Sequence, residues 1–239
     1  MADDELVLGH RDSEWCGLAP ILEEDIAFAN LALDEISHAS LWYDLLAQID
    51  GEDPLTYPDQ LVFFRKADEF RNLQIVELPN KEWAFSILRQ FLFDAYERVH
   101  LDALSQCKFA PLAGISKKIG KEEIYHYRHT SAWVRRLGQG TNESHKRMKA
   151  ALETVWPFTS QLFQPSEDYA GLTDQWLFPR VESLQAAWEE EVYPMLSECS
   201  LTIPPQAQLK LVRKDHTPHL ETLLSEMQSV ARLEPVGSW

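Results

Sequence analysis

The sequence predicts an all-α protein, an up-down helical bundle with additional C-terminal helices. Three observations carry that expectation. Apolar residues recur at three- and four-residue steps over long segments, the period of a helix with one buried face. Glycine is scarce, 9 in 239 residues, and the alternating apolar–polar runs that strands need are few. Two Glu-x-x-His spacings, Glu35 with His38 and Glu123 with His126, fall on separate helical segments, and residues three apart on a helix share a face.

Taken in order, the first helix is predicted over residues 3–16, with Asp3, Asp4 and Glu5 placed favourably at its positive end and Gly17 as its stop. Pro20 suits the first turn of a second helix over 20–49. Along it Leu22, Ile26, Ala29, Leu33 and Ile36 form one apolar stripe, and Leu31, Glu35, His38 and Trp42 form an adjoining one. Asp50-Gly51-Glu52-Asp53-Pro54 ends it. Residues 55–80, with Pro58 and Pro79, read as a connection holding one or two short helices. A third long helix follows over 82–106 and a fourth over 111–137, stopped by Gly138 and Gly140. A fifth is expected over 144–158, a loop over 168–179, a sixth helix over 180–196, a break at Pro204-Pro205 and a last helix over 217–232. No repeat divides the chain, so a single domain over 1–239 is the simplest organisation.

Composition narrows the function classes. A net charge of −16 opposes nucleic acid, whose phosphates would be repelled. No apolar run reaches the length of a membrane span. The acidic start Met1-Ala2-Asp3-Asp4-Glu5 is the opposite of a targeting peptide, which places the protein in the cytoplasm. Cys16, Cys107 and Cys199 are far apart and read as reduced thiols. Lys117, Lys118 and Lys121 make the one dense basic run; it reads first as a solvated helix face and leaves room for an anionic ligand.

The chemistry sits on the acids and histidines. A carboxylate from each of two helices plus a Glu-x-x-His from each of two others is the di-metal carboxylate pattern of helical bundles. Oxygen and imidazole nitrogen donors of this kind suit iron. The candidate ligands are Glu14 on the first helix, Glu35 and His38 on the second, Asp94 on the third (with Glu97 as fallback), and Glu123 and His126 on the fourth. The neighbours Leu31, Trp42 and Ile119 point these groups inward, where an uncompensated carboxylate is costly. The plainer alternative is an inward polar core that binds no metal. His216-Thr217-Pro218-His219 has ligand-like spacing but reads better as a helix start, and Ser13 beside His10 and Asp12 lacks the strand–turn setting of a nucleophile.

Several stretches give the chain a family resemblance. These are Glu14-Trp15-Cys16-Gly17-Leu18-Ala19-Pro20, Ala29-Asn30-Leu31-Ala32-Leu33-Asp34, Val76-Glu77-Leu78-Pro79-Asn80, Phe93-Asp94-Ala95-Tyr96, Ala187-Trp188-Glu189-Glu190-Glu191-Val192 and His216-Thr217-Pro218-His219-Leu220. Spread over nearly the whole chain, they resemble the C subunits of ring-1,2-phenylacetyl-CoA epoxidases, ferritin-like proteins of aerobic phenylacetate breakdown. The resemblance implies a multicomponent monooxygenase. Its A subunit carries the di-iron centre, and its C subunit is a structural partner of similar fold. A small B subunit and an NADPH-dependent reductase complete it. Typical C subunits have lost ligands in the segment equivalent to 34–38, whereas this chain keeps Glu35 and His38. Its Glu122-Glu123-Ile124-Tyr125-His126 resembles the ligand stretch of A subunits. The expected role is a structural subunit pairing with A; the alternative is an oxygenase component with its own di-iron site. Eight Trp and eleven Phe exceed what one core needs, so an aromatic interface to an A-type subunit or to a second copy is expected.

Overall fold

The computed structural model describes residues 1–165, 171, 179–205 and 212–233. Its helices are α1 (Ala2–Ser13), α2 (Leu22–Asp50), α3 (Tyr57–Phe63), α4 (Gln74–Glu77), α5 (Trp83–Leu104), α6 (Ala110–Gly138), α7 (Asn142–Val155), α8 (Val181–Glu198), α9 (Pro218–Met227) and α10 (Ser229–Leu233). Short 3-10 turns occupy Ala67–Glu69 and Trp156–Gln161. No strand occurs among the described residues, so the all-α class is borne out. No described helix is long and apolar enough to cross a membrane. The loop expected over 168–179 lies almost wholly outside the described residues.

The chain forms two compact units. Met1–Leu18, Asp25–Pro79 and Arg213–Trp239 make the first; Ala19–Glu24 and Asn80–Val212 make the second. In the first unit, α1 ends three residues earlier than expected, at Ser13, and a turn carries the chain to Gly17, whose φ of 78° needs a glycine. Leu6, Val7 and Leu8 of α1, Phe28, Leu31, Trp42 and Tyr43 of α2, and Leu220, Leu223 and Leu224 of α9 are buried. The acidic start of α1 does more than complement a helix end: Asp3, Asp4 and Glu5 are all buried. Asp3 accepts hydrogen bonds from Arg65 (2.6 Å), the backbone N–H of Arg71 (2.7 Å) and the Tyr43 hydroxyl. Asp4 accepts from Arg213 and the Leu73 N–H, both at 2.7 Å. These bonds clamp the irregular segment between α3 and α4 onto α1.

The two stripes of α2 do not adjoin; they lie on opposite sides of the helix. Leu31, Glu35, His38 and Trp42 are buried, while Leu22 (70% exposed), Ile26 (55%) and Leu33 (62%) face outward. Periodicity alone ranks both stripes equally, because both are spaced for a helix. The burial of the stripe holding Glu35 and His38 has a local cause in Gly9. A Cβ there would lie 3.0 Å from Glu35 Cβ and Ile36 Cγ1 and 3.1 Å from the Ala32 carbonyl oxygen. Only a residue without a side chain lets α1 approach α2 this closely. Gly9→Ala adds about 1 kcal/mol of helix propensity but forces the helices apart, at about 1–3 kcal/mol. A net loss of stability is expected, read as a lower urea midpoint; an unchanged or raised midpoint would show that the contact relaxes freely.

In the second unit α5 is the central helix, packed against α6, α7 and α8. Its buried Phe85, Leu88, Phe91, Leu92 and Ala95 meet Ile119 and Val134 of α6, Met148 and Leu152 of α7, and Leu184, Trp188 and Val192 of α8 as the buried set of this unit. Trp188 donates from its indole N–H to the Leu92 carbonyl at 3.0 Å, and the rings of Trp156 and Phe163 pack on it at 5.8 and 5.6 Å between centroids. The aromatic residues are thus largely core: no described Trp is exposed. The exposed large side chains are mostly aliphatic and include the outer stripe of α2.

Candidate metal-binding residues

The first unit carries the Glu-x-x-His turn Glu35–His38; the second carries Glu123–His126 and, on α5, Glu97–His100. In the first, helical spacing puts Glu35 and His38 on the buried face of α2, and both are fully buried. The third member of this group comes from α1 and is Glu5, not Glu14. Glu5 Oε2 stands 3.3 Å from His38 Nδ1, and Glu5 Oε1 accepts a hydrogen bond of 3.1 Å from the Trp42 indole. Glu5, Glu35 and His38 each offer one ligand atom, all within 4.8 Å of one another. Two carboxylates and one imidazole at that spacing are a hard-to-borderline donor set, suited to iron or zinc rather than to copper(I).

Glu14 lies past the end of α1, where its side chain is 42% exposed and ion-paired with Arg11 at 2.6 Å. Glu14 follows Glu5 by about two and a half turns, so it falls on the opposite side of the helix. Sequence reasoning passed over Glu5 because an acid in the first turn has a sufficient explanation in the helix dipole. The missed signal was the spacing of Glu5, Gly9 and Asp12: a glycine between two acids on one helical face marks where another helix comes close.

In the second unit, Glu123 is fully buried and His126 nearly so, with His126 Nδ1 2.8 Å from Glu123 Oε1. Asp94 on α5 is fully buried and accepts from Thr130 Oγ1 of α6 at 2.6 Å and from Gln90 Nε2 at 2.9 Å. Both bonds fix its carboxylate, and the Thr130 bond ties α5 to α6 one turn beyond His126. Glu97, one turn on from Asp94, is also buried. His129 pairs with Glu24 at 3.1 Å, and burial holds its imidazole below the ordinary value of 6.5 although Glu24 pulls the other way. Of the sequence-derived ligands, the structure therefore buries Glu35, His38, Asp94, Glu123 and His126, and leaves Glu14 at the surface.

The remaining motif also finds its place. His216 and Thr217 cap α9 and close on Glu77, as a helix start would. Glu77 accepts from His216 Nδ1 (2.6 Å), the Thr217 N–H (2.6 Å), Thr217 Oγ1 (2.7 Å) and Asn72 Nδ2 (2.9 Å). His216 is committed to this structural clasp.

Over its whole length the chain is 37% identical to the C subunit of 1,2-phenylacetyl-CoA epoxidase from Escherichia coli (strain K12), covering 96% of that protein. It is also 22% identical over 209 residues to the A subunit of the same bacterium's 1,2-phenylacetyl-CoA epoxidase, an alignment spanning 85% of this chain and 66% of that relative. Residues 1–239 match the family described as phenylacetic acid catabolic protein, and the chain belongs to that family.

Proposed function

We propose that this chain is the structural subunit of a multicomponent di-iron monooxygenase that epoxidises phenylacetyl-CoA, and that it pairs with and stabilises a catalytic A-type subunit. The observation that carries the reading is the full-length likeness to a C subunit. The weaker likeness to an A subunit supports a partner of similar, ferritin-like fold. The outer apolar stripe of α2, with Leu22, Ile26 and Leu33, is the surface such a partner would cover. A small B subunit and an NADPH-dependent reductase complete the assembly, which works in the cytoplasm.

One observation favours the second reading, an oxygenase component with its own metal. The Glu35–His38 and Glu123–His126 turns are buried, and Glu5 stands with Glu35 and His38 within 4.8 Å. The donor set fits iron. In the first unit Glu5, Glu35 and His38 would hold it; in the second, Glu123 and His126 offer a separate pair of donors. Bound iron would supply the capacity to react with dioxygen. The chain's own groups supply fixed ligands: Trp42 orients Glu5, and Thr130 and Gln90 orient Asp94.

One experiment separates the two readings. The chain is co-expressed with an A-type and a B-type subunit in iron-replete medium, as wild type and as the Glu35→Ala/His38→Ala variant, and the reductase is added. Bound iron and NADPH-dependent oxygenation are then measured. The structural reading expects the variant to assemble and turn over at nearly the wild-type rate, with any iron of this chain lost. Loss of turnover in an intact assembly would establish the second reading instead. Failure of the wild-type chain to co-purify with the A-type subunit would overturn the pairing.

A further inference from the structure

The Lys117–Lys121 stretch takes no part in the metal or pairing roles. In the second unit α5, α6 and α8 leave between them a cleft of about 570 Å³, a size usual for small-molecule sites. Val99, Leu101, Leu184 and Ala187 give it an apolar lining, and Ile124, 56% exposed, continues that surface to the rim. At one end the Arg98 guanidinium lies 4.2 Å from the centre of the Tyr127 ring and 3.6 Å from Glu191, so the charges there are matched internally. At the other end stand Lys117 and Lys121, one helical turn apart on α6 and both exposed. Among the described residues neither has an ion-pair partner. Lys118, in the same basic run, does not line the cleft.

Three cations, Arg98, Lys117 and Lys121, against two acids, Asp102 and Glu191, leave the lining one positive charge in a chain whose net charge is −16. That local excess favours a monoanion; Asp102 would repel a polyphosphate. We propose that this cleft binds a small organic monocarboxylate, its carboxylate held between Lys117 and Lys121 and its aryl or alkyl body resting on Leu101, Ile124 and Leu184. A carboxylate gains charge-assisted hydrogen bonds from two ammonium groups spaced by one turn, and its apolar body covers surface that water otherwise wets. This assignment is independent of the metal residues and of the pairing role.

Isothermal titration of the full chain tests it, with phenylacetate, the neutral phenylacetamide and phenylacetyl-CoA as probes. Phenylacetate is expected to bind one to one, and phenylacetamide at least about tenfold more weakly, the equivalent of one lost charge-assisted bond. Lys117→Ala/Lys121→Ala should weaken phenylacetate by about tenfold or more, and Lys118→Ala should leave it unchanged. Ala187→Phe keeps every charge but fills the cleft, and should abolish binding; circular dichroism checks that each variant is folded. The proposal is overturned if phenylacetate does not bind, if phenylacetamide binds as well, or if the double lysine variant binds like wild type. Binding of phenylacetyl-CoA without phenylacetate would equally overturn it, since the recognised element would then be the phosphates.

Discussion

Glu77→Ala is expected to be the most damaging single substitution in the first unit, costing about 3–5 kcal/mol, the range for breaking a buried charged pair by removing one partner. Glu77 is fully buried and its carboxylate takes four hydrogen bonds, from Asn72, His216 and twice from Thr217. Alanine leaves all four donors without an acceptor. Glu77→Gln retains an acceptor oxygen and should cost less, about 1–3 kcal/mol. Urea denaturation measures both; near-equal midpoints for wild type and Glu77→Ala would refute the account. The clasp also sets a pH dependence. Burial opposes the charge on His216, but the hydrogen bond and charge of Glu77 outweigh it and raise the imidazole above its ordinary 6.5. The stability it contributes is therefore fully present below 6.5 and is lost as pH rises through the raised value. Asp3 and Asp4 act at the other limit. Burial opposes their charge too, but Arg65 for Asp3, and Arg213 with the N-terminal ammonium for Asp4, hold both below the ordinary 3.8. Their contribution is full above 3.8 and is lost as pH falls through the lowered values. Wild type should be most stable between these limits, and Glu77→Ala should remove the alkaline slope while leaving the acid one.

Ile26→Asp/Leu33→Asp is expected to abolish co-purification with an A-type subunit while the chain itself stays folded. Both side chains are exposed, at 55% and 62%, so they contribute little burial to the isolated chain. Interfaces concentrate their energy in a few central apolar residues, and a carboxylate placed there must be desolvated without a partner. A loss of affinity of about a hundredfold or more is expected from two such changes. Unchanged pairing in a pull-down would move the interface off α2. A collapsed urea midpoint would show instead that these residues support the fold.

Helical period, turn residues and Pro positions made the long elements legible, and α5 and α6 fall within two residues of the expected bounds. The same period revealed that Glu35 with His38 and Glu123 with His126 share faces. It did not tell which side of α2 is inward, because an apolar stripe meant for a partner has the same spacing as one meant for a core. Placing the acid from α1 failed for a different reason. Glu14 was chosen on a helix expected to reach residue 16, but the helix ends at Ser13 and Glu14 sits about two and a half turns from Glu5, on the opposite side. Glu5 was hidden among three consecutive acids whose dipole explanation was sufficient but incomplete. The aromatic content was read as surface, yet Trp156, Trp188 and Phe163 pack on one another within the second unit.

The clasp on Glu77 has a consequence for the order in which the protein is made. Glu77 lies between Arg11, which donates to its carbonyl, and His216 and Thr217, which donate to its carboxylate. The first unit is thus assembled from both extremes of the chain, whereas most of the second is the continuous stretch Asn80–Val212. During synthesis the second unit has its residues available first. The first waits, its acids at positions 4 and 77 without their C-terminal partners, until Arg213 and His216 have left the ribosome. Such long sequence separations slow folding, so for that interval the nascent chain is a folded middle with an open beginning. A ribosome stalled before Arg213 would hold α1 accessible to protease and chaperone, and release of the last residues would shut it.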